Sequence, residues 1–305
     1  MLTVFSVPKP FEGHIGVIQR NALGSWARLP EVEIIVVGDE PGAAAAAAEV
    51  GATHVGTIER NEYGTPLLDS VFRQVRDLSQ QARLVYVNAD VILFPDLVDA
   101  VHRIGLASYL LVGRRWTINL DEALDFSGDW ASVVRDRISD HGQRDPPTGI
   151  DYFVFDRLGP LGELPPFAVG RPAWDNWMIY NARRRRIPVI DATRVVTAVH
   201  QRHTYDHVPA KRAEPWFGPE ADANWALIGD VPHFRTVNAT HVLTRRGARP
   251  ALAPVYLRAR WRTRRHVEGR LEGIFRLVEP AVILTRPIRA RLRRARLAAT
   301  RRRPA

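Results

Sequence analysis

Along the first two hundred residues, short β-rich runs alternate with stretches whose apolar residues recur at helical spacing, a pattern that predicts a layered α/β domain. Residues 2–7 read as the first strand. After Pro8 and Pro10, apolar positions at Ile15, Ile18, Ala22, Trp26 and Leu29 mark a helix. Residues 32–37 make a second strand that ends in Gly38-Asp39-Glu40, and a run of alanines, the best helix former, then predicts a helix through about Val50. Thr65-Pro66 offers a capping hydroxyl followed by proline, so a helix is expected to start there with Leu68, Val71, Phe72, Val75 and Leu78 as its buried stripe. Residues 84–87 form a compact apolar run without polar alternation, which predicts a central strand. Residues 109–113 and 152–155 are further strands. Residues 187–190 are expected at an edge because of Pro188.

From about Gly247 the pattern changes. Leu257, Trp261, Leu271, Ile274 or Phe275, and Val278 share a helical face while arginines fill the rest, Pro280 and Pro287 interrupt it, and the last ten residues read as disordered. The expected organisation is therefore a catalytic body over residues 1–244 and a basic helical extension over 245–305. Charge follows the same division. The chain of 305 residues carries +10, and the 19 arginines after residue 244 face three glutamates, so that segment holds +16 and the body −6. A basic amphipathic helix suits an anionic membrane surface, here through residues 254–296, or equally a helix packed on the domain with a solvated arginine face. Nucleic acid is disfavoured as a partner by the acidic body. There is no cysteine, hence no disulfide, thiolate or cysteine-type zinc chemistry. No apolar run reaches the roughly 18 to 20 residues of a spanning helix, and the N-terminus lacks a basic leader region. A cytoplasmic protein, peripheral at the inner face of the cell membrane, is the expectation.

The chemistry concentrates where the central strand ends, in Leu84-Val85-Tyr86-Val87-Asn88-Ala89-Asp90, followed by Val91-Ile92-Leu93-Phe94-Pro95. Ligands in open α/β sheets bind at such carboxyl ends. Asn88 and Asp90, two residues apart, point to the same side of an extended segment and could share a hard cation. The residues alone equally allow an asparagine-capped turn ahead of a helix near Asp96. Arg114-Arg115 follows another strand end, where Arg114 could clamp phosphate or make a rim salt bridge. Asp175 starts a helix between Trp174 and Trp177, whose faces could hold sugar rings or lie in the core. His200, His203 and His207 fall within eight residues, a spacing that suits a metal on a helix, although Thr204, Tyr205 and Pro209 argue for a loop.

The hydrophobic strand ending in Asn88-Ala89-Asp90, followed by hydrophobic residues and proline, resembles the cation-binding D-x-D motif of GT-A glycosyltransferases (family 2-like), with Asn88 in place of the first aspartate. The resemblance covers about residues 1–210. It implies a Rossmann-like nucleotide-diphospho-sugar transferase fold, with a mixed sheet flanked by helices. It also implies a nucleoside-diphosphate sugar donor, a hydroxyl-bearing acceptor such as a lipid-linked or cell-envelope glycan, and Mn2+ or Mg2+ held by Asp90, Asn88 and His200. By the same resemblance Pro8 in the first loop, Asp39, Arg60 and Asn61 would contact the donor. Asp175 would be the base of an inverting reaction, with Asp151 in reserve. A sugar-phosphate nucleotidyltransferase shares a similar sheet, but the first strand here runs into Val7-Pro8-Lys9-Pro10-Phe11 without a glycine cradle. Asn88 also leaves room for a catalytically silent relative.

Overall fold

The computed structural model of the chain describes residues 2–203 and 216–267. Its strands are β1 (Leu2–Ser6), β2 (Val32–Val37), β3 (Thr53–Val55), β4 (Arg83–Val87), β5 (Val91–Leu93), β6 (Leu110–Val112) and β7 (Trp116–Ile118). They continue with β8 (Gln143–Arg144), β9 (Tyr152–Asp156), β10 (Val189–Asp191), β11 (Ala198–Gln201), β12 (His241–Thr244) and β13 (Gly247–Pro250). The helices are α1 (Gly13–Trp26), α2 (Ala43–Glu49), α3 (Leu68–Leu78), α4 (Asp96–His102), α5 (Trp130–His141), α6 (Trp174–Arg184), α7 (Pro219–Ile228) and α8 (Pro254–Val267).

Nine strands form one mixed sheet in the order β13-β12-β10-β6-β9-β4-β1-β2-β3. β9 runs antiparallel between β4 and β6, and β13 antiparallel to β12, while the other neighbours are parallel. Strand alternation sends Val4, Val36, Val85 and Val154 to one face, where they meet Leu23 and Trp26 of α1 and Leu97 of α4. Phe5, Val37, Tyr86 and Phe153 point to the other face, against Phe72 of α3 and Met178 of α6. Covered on both sides, these strands have no polar face to display, which is why their sequences read as continuous apolar runs.

Local expectations are adjusted in three places. α3 starts at Leu68 rather than at Thr65-Pro66, because Pro66 and Leu67 are extended and bridged to Arg60 and Ala168; Leu78, at its far end, is 49% exposed. β10 is interior, not an edge: pairing begins at Val189, and Pro188 lies before the strand, giving only its carbonyl to the Leu110 amide, so no ladder donor is lost. β13 and α8, beyond Thr244, belong with the preceding elements to one unit that runs to Val267. α8 turns inward Tyr256, Arg260 and Thr263 rather than Leu257, which is 46% exposed. Polar anchors set that rotation: the Tyr256 hydroxyl donates to Asp191 (2.7 Å), Arg260 to the Ala239 and Ala251 carbonyls, and Asn238 to Thr263 (3.1 Å). The rest of that stripe and of the basic extension, residues 268–305, lies outside the described residues, as does His207. No described helix is long and apolar enough to cross a membrane.

A second sheet, β5-β11-β7-β8, continues from the end of β4. β11 lies antiparallel to β5 with His200 opposite Val91. Gln201, fully buried, fastens this sheet to α1: its amide donates to the Ile18 carbonyl (2.7 Å) and the Asp90 carbonyl (3.1 Å), and its oxygen accepts from Asn21 (2.9 Å). Gln201→Leu strands these groups in the interior and is expected to lower unfolding free energy by about 3 kcal/mol. Urea denaturation measures it, and an unchanged midpoint would refute the latch.

Candidate active site

A cleft of about 390 Å³ opens at the carboxyl ends of β1 and β4, where the strand order divides, the chain continuing from β1 to β2 on one side and re-entering the sheet after β4 at β6, beyond β9, on the other. The turn after β1 forms one wall and is pinned from behind. The buried Gln19 side chain accepts from the Lys9 amide (2.7 Å) and donates to the Lys9 carbonyl (2.9 Å). Lys9 itself lines the cleft; burial lowers its pKa, Asp90 opposes that and Arg171 adds to it.

Asp90 follows β4 in the turn that leads to β5. The pairing of β11 with β5 brings His200 beside it, with Nε2 3.5 Å from Asp90 Oδ2; His203, two residues past the strand, places its Nε2 3.0 Å from the same oxygen. One ligand atom from each of Asp90, His200 and His203 lies within 4.8 Å of the others. Burial works to raise the Asp90 pKa, yet the charge and hydrogen bonding of His200 and His203 hold the carboxyl well below its usual range. Asp90 Oδ1 and His200 Nδ1 are buried with no hydrogen-bond partner among the described residues. A carboxylate and two imidazoles gathered within this distance fit a divalent cation.

The antiparallel insertion of β9 sets the second feature. It puts Asp151, just before β9, beside the end of β4, where the Asn88 amide donates to the Asp151 carbonyl (3.0 Å). The Asp151 carboxylate is taken by Arg115, whose Nε also holds Asp145 (2.7 Å). Asp175, in the first turn of α6, accepts from the Asn176 amide (2.8 Å). Partly exposed to the cleft, it is still shielded from bulk water, and burial pushes its carboxyl up to about 6; the Asn176 amide opposes this and the Asp151 charge adds to it. The entry to α6 is bent sharply, with Ala173 at φ 89°.

Of the residues singled out in the sequence, Pro8, Asn88, Asp90, Asp151, Trp174, Asp175 and His200 line this cleft. Asp39, Arg60, Asn61, Arg114 and Trp177 are not among its lining residues. Arg60 is paired with Asp39 and Glu40, and it is Glu40 that reaches the cleft. The Asn61 amide donates to Glu220 (2.9 Å), and Arg114 turns to the Asp145 carbonyl. Trp174 lines the cleft yet is only 6% exposed, its ring set against Tyr86 and Phe153, and Trp177 packs on Phe167. Among the lining residues, Trp216 was given no role by sequence reasoning, and Lys9, Arg115 and Arg171 were named only as members of longer segments. His203 was visible only as one of a group of histidines.

No known family model matches the chain, and no curated protein matches it. Several solved structures are similar to it. Glucosyl-3-phosphoglycerate synthase from M. tuberculosis is 15% identical over 75% of this chain and 79% of its own, with a TM-score of 0.44. The mannosyltransferase PcManGT from Pyrobaculum calidifontis, in complex with GDP-Man and Mn2+, is 16% identical over 69% of this chain and 58% of its own, with a TM-score of 0.40. TarS 1–349 from S. aureus, in complex with UDP, is 17% identical over 39% of this chain, with a TM-score of 0.32, and the match spans 36% of that protein's length.

The raised Asp175 pKa carries a stability consequence. Between about pH 4 and pH 6 the folded state binds more protons at this carboxyl than the unfolded chain, so its contribution weakens as pH rises through that window. Asp175→Asn is expected to gain about 1 to 2 kcal/mol at pH 7.5, allowing for partial solvent access, and to gain nothing below pH 4. Denaturant titrations of both proteins across this range test it; a pH-independent difference would contradict it.

Proposed function

We propose that this protein is a GT-A-type glycosyltransferase that moves a sugar from a nucleoside-diphosphate sugar to an acceptor hydroxyl, with inversion at the anomeric carbon. The observation that carries the reading is the presence, in one cleft at parallel strand ends, of a cation-ligating cluster around Asp90 and of a carboxylate poised to accept a proton near neutral pH. Pro8 and the rest of the turn after β1, together with Glu40, border the nucleotide, and Lys9 and Arg171 face its diphosphate. Asp90, His200 and His203 would hold the cation, Mn2+ or Mg2+, with Asn88 beside them. A cation bound there supplies charge neutralisation to the diphosphate as it leaves.

Asp175 takes the proton from the acceptor hydroxyl. A base with a pKa near 6 is ionised at neutral pH and still basic enough to share a proton in the transition state. Asp151 has a different part: bound by Arg115, it fixes the turn around Asn88 and raises Asp175 through its charge. Trp216, 61% exposed among the cleft-lining residues, offers a ring face to a sugar acceptor, which the buried Trp174 does not.

Thermal-shift titration with UDP-, GDP- and TDP-sugars, with and without Mn2+, identifies the donor; no response to any nucleotide would overturn the proposal. Asp175→Asn should reduce kcat about 1,000-fold while leaving donor affinity intact, and wild-type kcat should rise with pH through about 6. Retained turnover in that variant would place the base elsewhere. Trp216→Ala is expected to raise the acceptor KM roughly tenfold at constant donor Kd, and anomeric analysis of the product by NMR reads the stereochemistry.

A further inference from the structure

We infer that Asp90, His200 and His203 form a preassembled ligand set that selects a transition ion such as Mn2+, Co2+ or Zn2+ over Mg2+, and binds it before any nucleotide arrives. This rests on the reading of the cleft as a donor site only in so far as the ion then serves the diphosphate; the binding itself follows from these three side chains.

Spacing is the first ground. Ligand atoms about 2.1 Å from a common ion lie about 3.0 Å apart at a right angle and about 3.4 Å apart at a tetrahedral angle. The two imidazole nitrogens stand 3.0 and 3.5 Å from Asp90 Oδ2, at the lower end of that span and just past its upper end, so only a small adjustment seats both on one ion.

Donor chemistry is the second. Mg2+ demands near-octahedral oxygen coordination and keeps much of its water, so it is usually held by carboxylates and phosphates. This cluster offers one carboxylate and two imidazoles, and Asn88 stands where a second carboxylate would have favoured the harder ion. Imidazole nitrogen favours first-row transition ions over Mg2+, least for Mn2+ and more strongly for later ions such as Co2+ and Zn2+.

Rigidity is the third. The side chains of His200 and His203 are 12% and 3% exposed, and that of Asp90 17%. His200 is fixed on β11 by its register opposite Val91, and Gln201 grips the Asp90 carbonyl. Asp90 Oδ1, buried without a hydrogen-bond partner among the described residues, remains available to an ion. A ligand set held this way does not need phosphate oxygens to complete three protein contacts.

The experiment is metal binding by the full chain, stripped with EDTA and free of nucleotide. Calorimetry and the loss of the free Mn2+ electron paramagnetic resonance signal report binding. One Mn2+ is expected per chain, with Mg2+ at least about 100-fold weaker, and Co2+ should give visible d–d bands typical of imidazole coordination. His203→Ala should weaken Mn2+ at least about tenfold, with circular dichroism confirming an intact fold. Equal affinity for Mn2+ and Mg2+, or no ion bound without nucleotide, would overturn the inference, even if Mn2+ then bound together with a nucleotide sugar and so upheld the transferase reading. Conversely, Mn2+ binding in a protein indifferent to every nucleotide sugar upholds the inference and removes the transferase.

Discussion

The site depends on the register between β5 and β11. Because side chains alternate along a strand, a slip of one residue would turn His200 to the far face and bring Val199 or Gln201 to Asp90. Asp90 would then be a buried carboxylate facing no cationic or metal-ligating partner from that strand, an arrangement that costs several kcal/mol unless the group takes up a proton. Asn21, Gln201 and the carbonyls of Ile18 and Asp90 form the hydrogen-bonded block that holds the register, and Trp26 adds an indole bond to the Val91 carbonyl (2.9 Å). Thus a helix on the opposite side of the turn decides where a metal-ligating histidine stands.

The reversed direction of β9 does comparable work for the carboxylates. A parallel strand in that position would bring its own carboxyl end to the cleft. Running antiparallel, β9 brings the residue before it, Asp151, against Asn88. Once there, Asp151 belongs to Arg115, and the difference between two acids in one cleft follows from their partners. Asp151 has a guanidinium; Asp175 has a backbone amide, burial and the neighbouring charge of Asp151. Environments that push two carboxyls apart in this way assign different roles to chemically identical groups.

Much of this was legible in the sequence because both sheet faces are buried: uninterrupted apolar runs located β1, β2, β4 and β9, and the polar residues that end β4 marked the cleft. What escaped has physical reasons. Past Gly113 the strand alternation ends, so nothing in the sequence tells which of Arg114 and Arg115 turns inward. Trp174 and Trp177 read as sugar-binding faces through their nearness to Asp175, but an aromatic pair at helical spacing serves a core equally well. His203 sits two residues past the end of β11, where strand alternation no longer fixes which way a side chain points. The rotation of α8 was off by one position because Tyr256, Arg260 and Thr263 bond inward, and a hydropathy pattern has no means of weighing polar anchors against exposed leucines.

The charges around the cleft bear on how a diphosphate could enter at all. Three cationic side chains line it, Lys9, Arg115 and Arg171, against four carboxylates, Glu40, Asp90, Asp151 and Asp175. Arg115 is already shared between Asp145 and Asp151, and Arg171 is paired with Glu220. At a screening length of about 8 Å these local charges outweigh the net charge of the body as a whole. A doubly negative diphosphate therefore meets a wall with no surplus of positive charge, and the −1 of the lining must be reversed before it can settle. A divalent ion on Asp90, His200 and His203 turns that lining to +1 at the place where the phosphates would lie. On the proposed reading, then, cation and donor are coupled by simple electrostatics: the protein supplies the ligands for the ion, and the ion supplies the positive charge that the protein's own side chains, engaged with one another, do not.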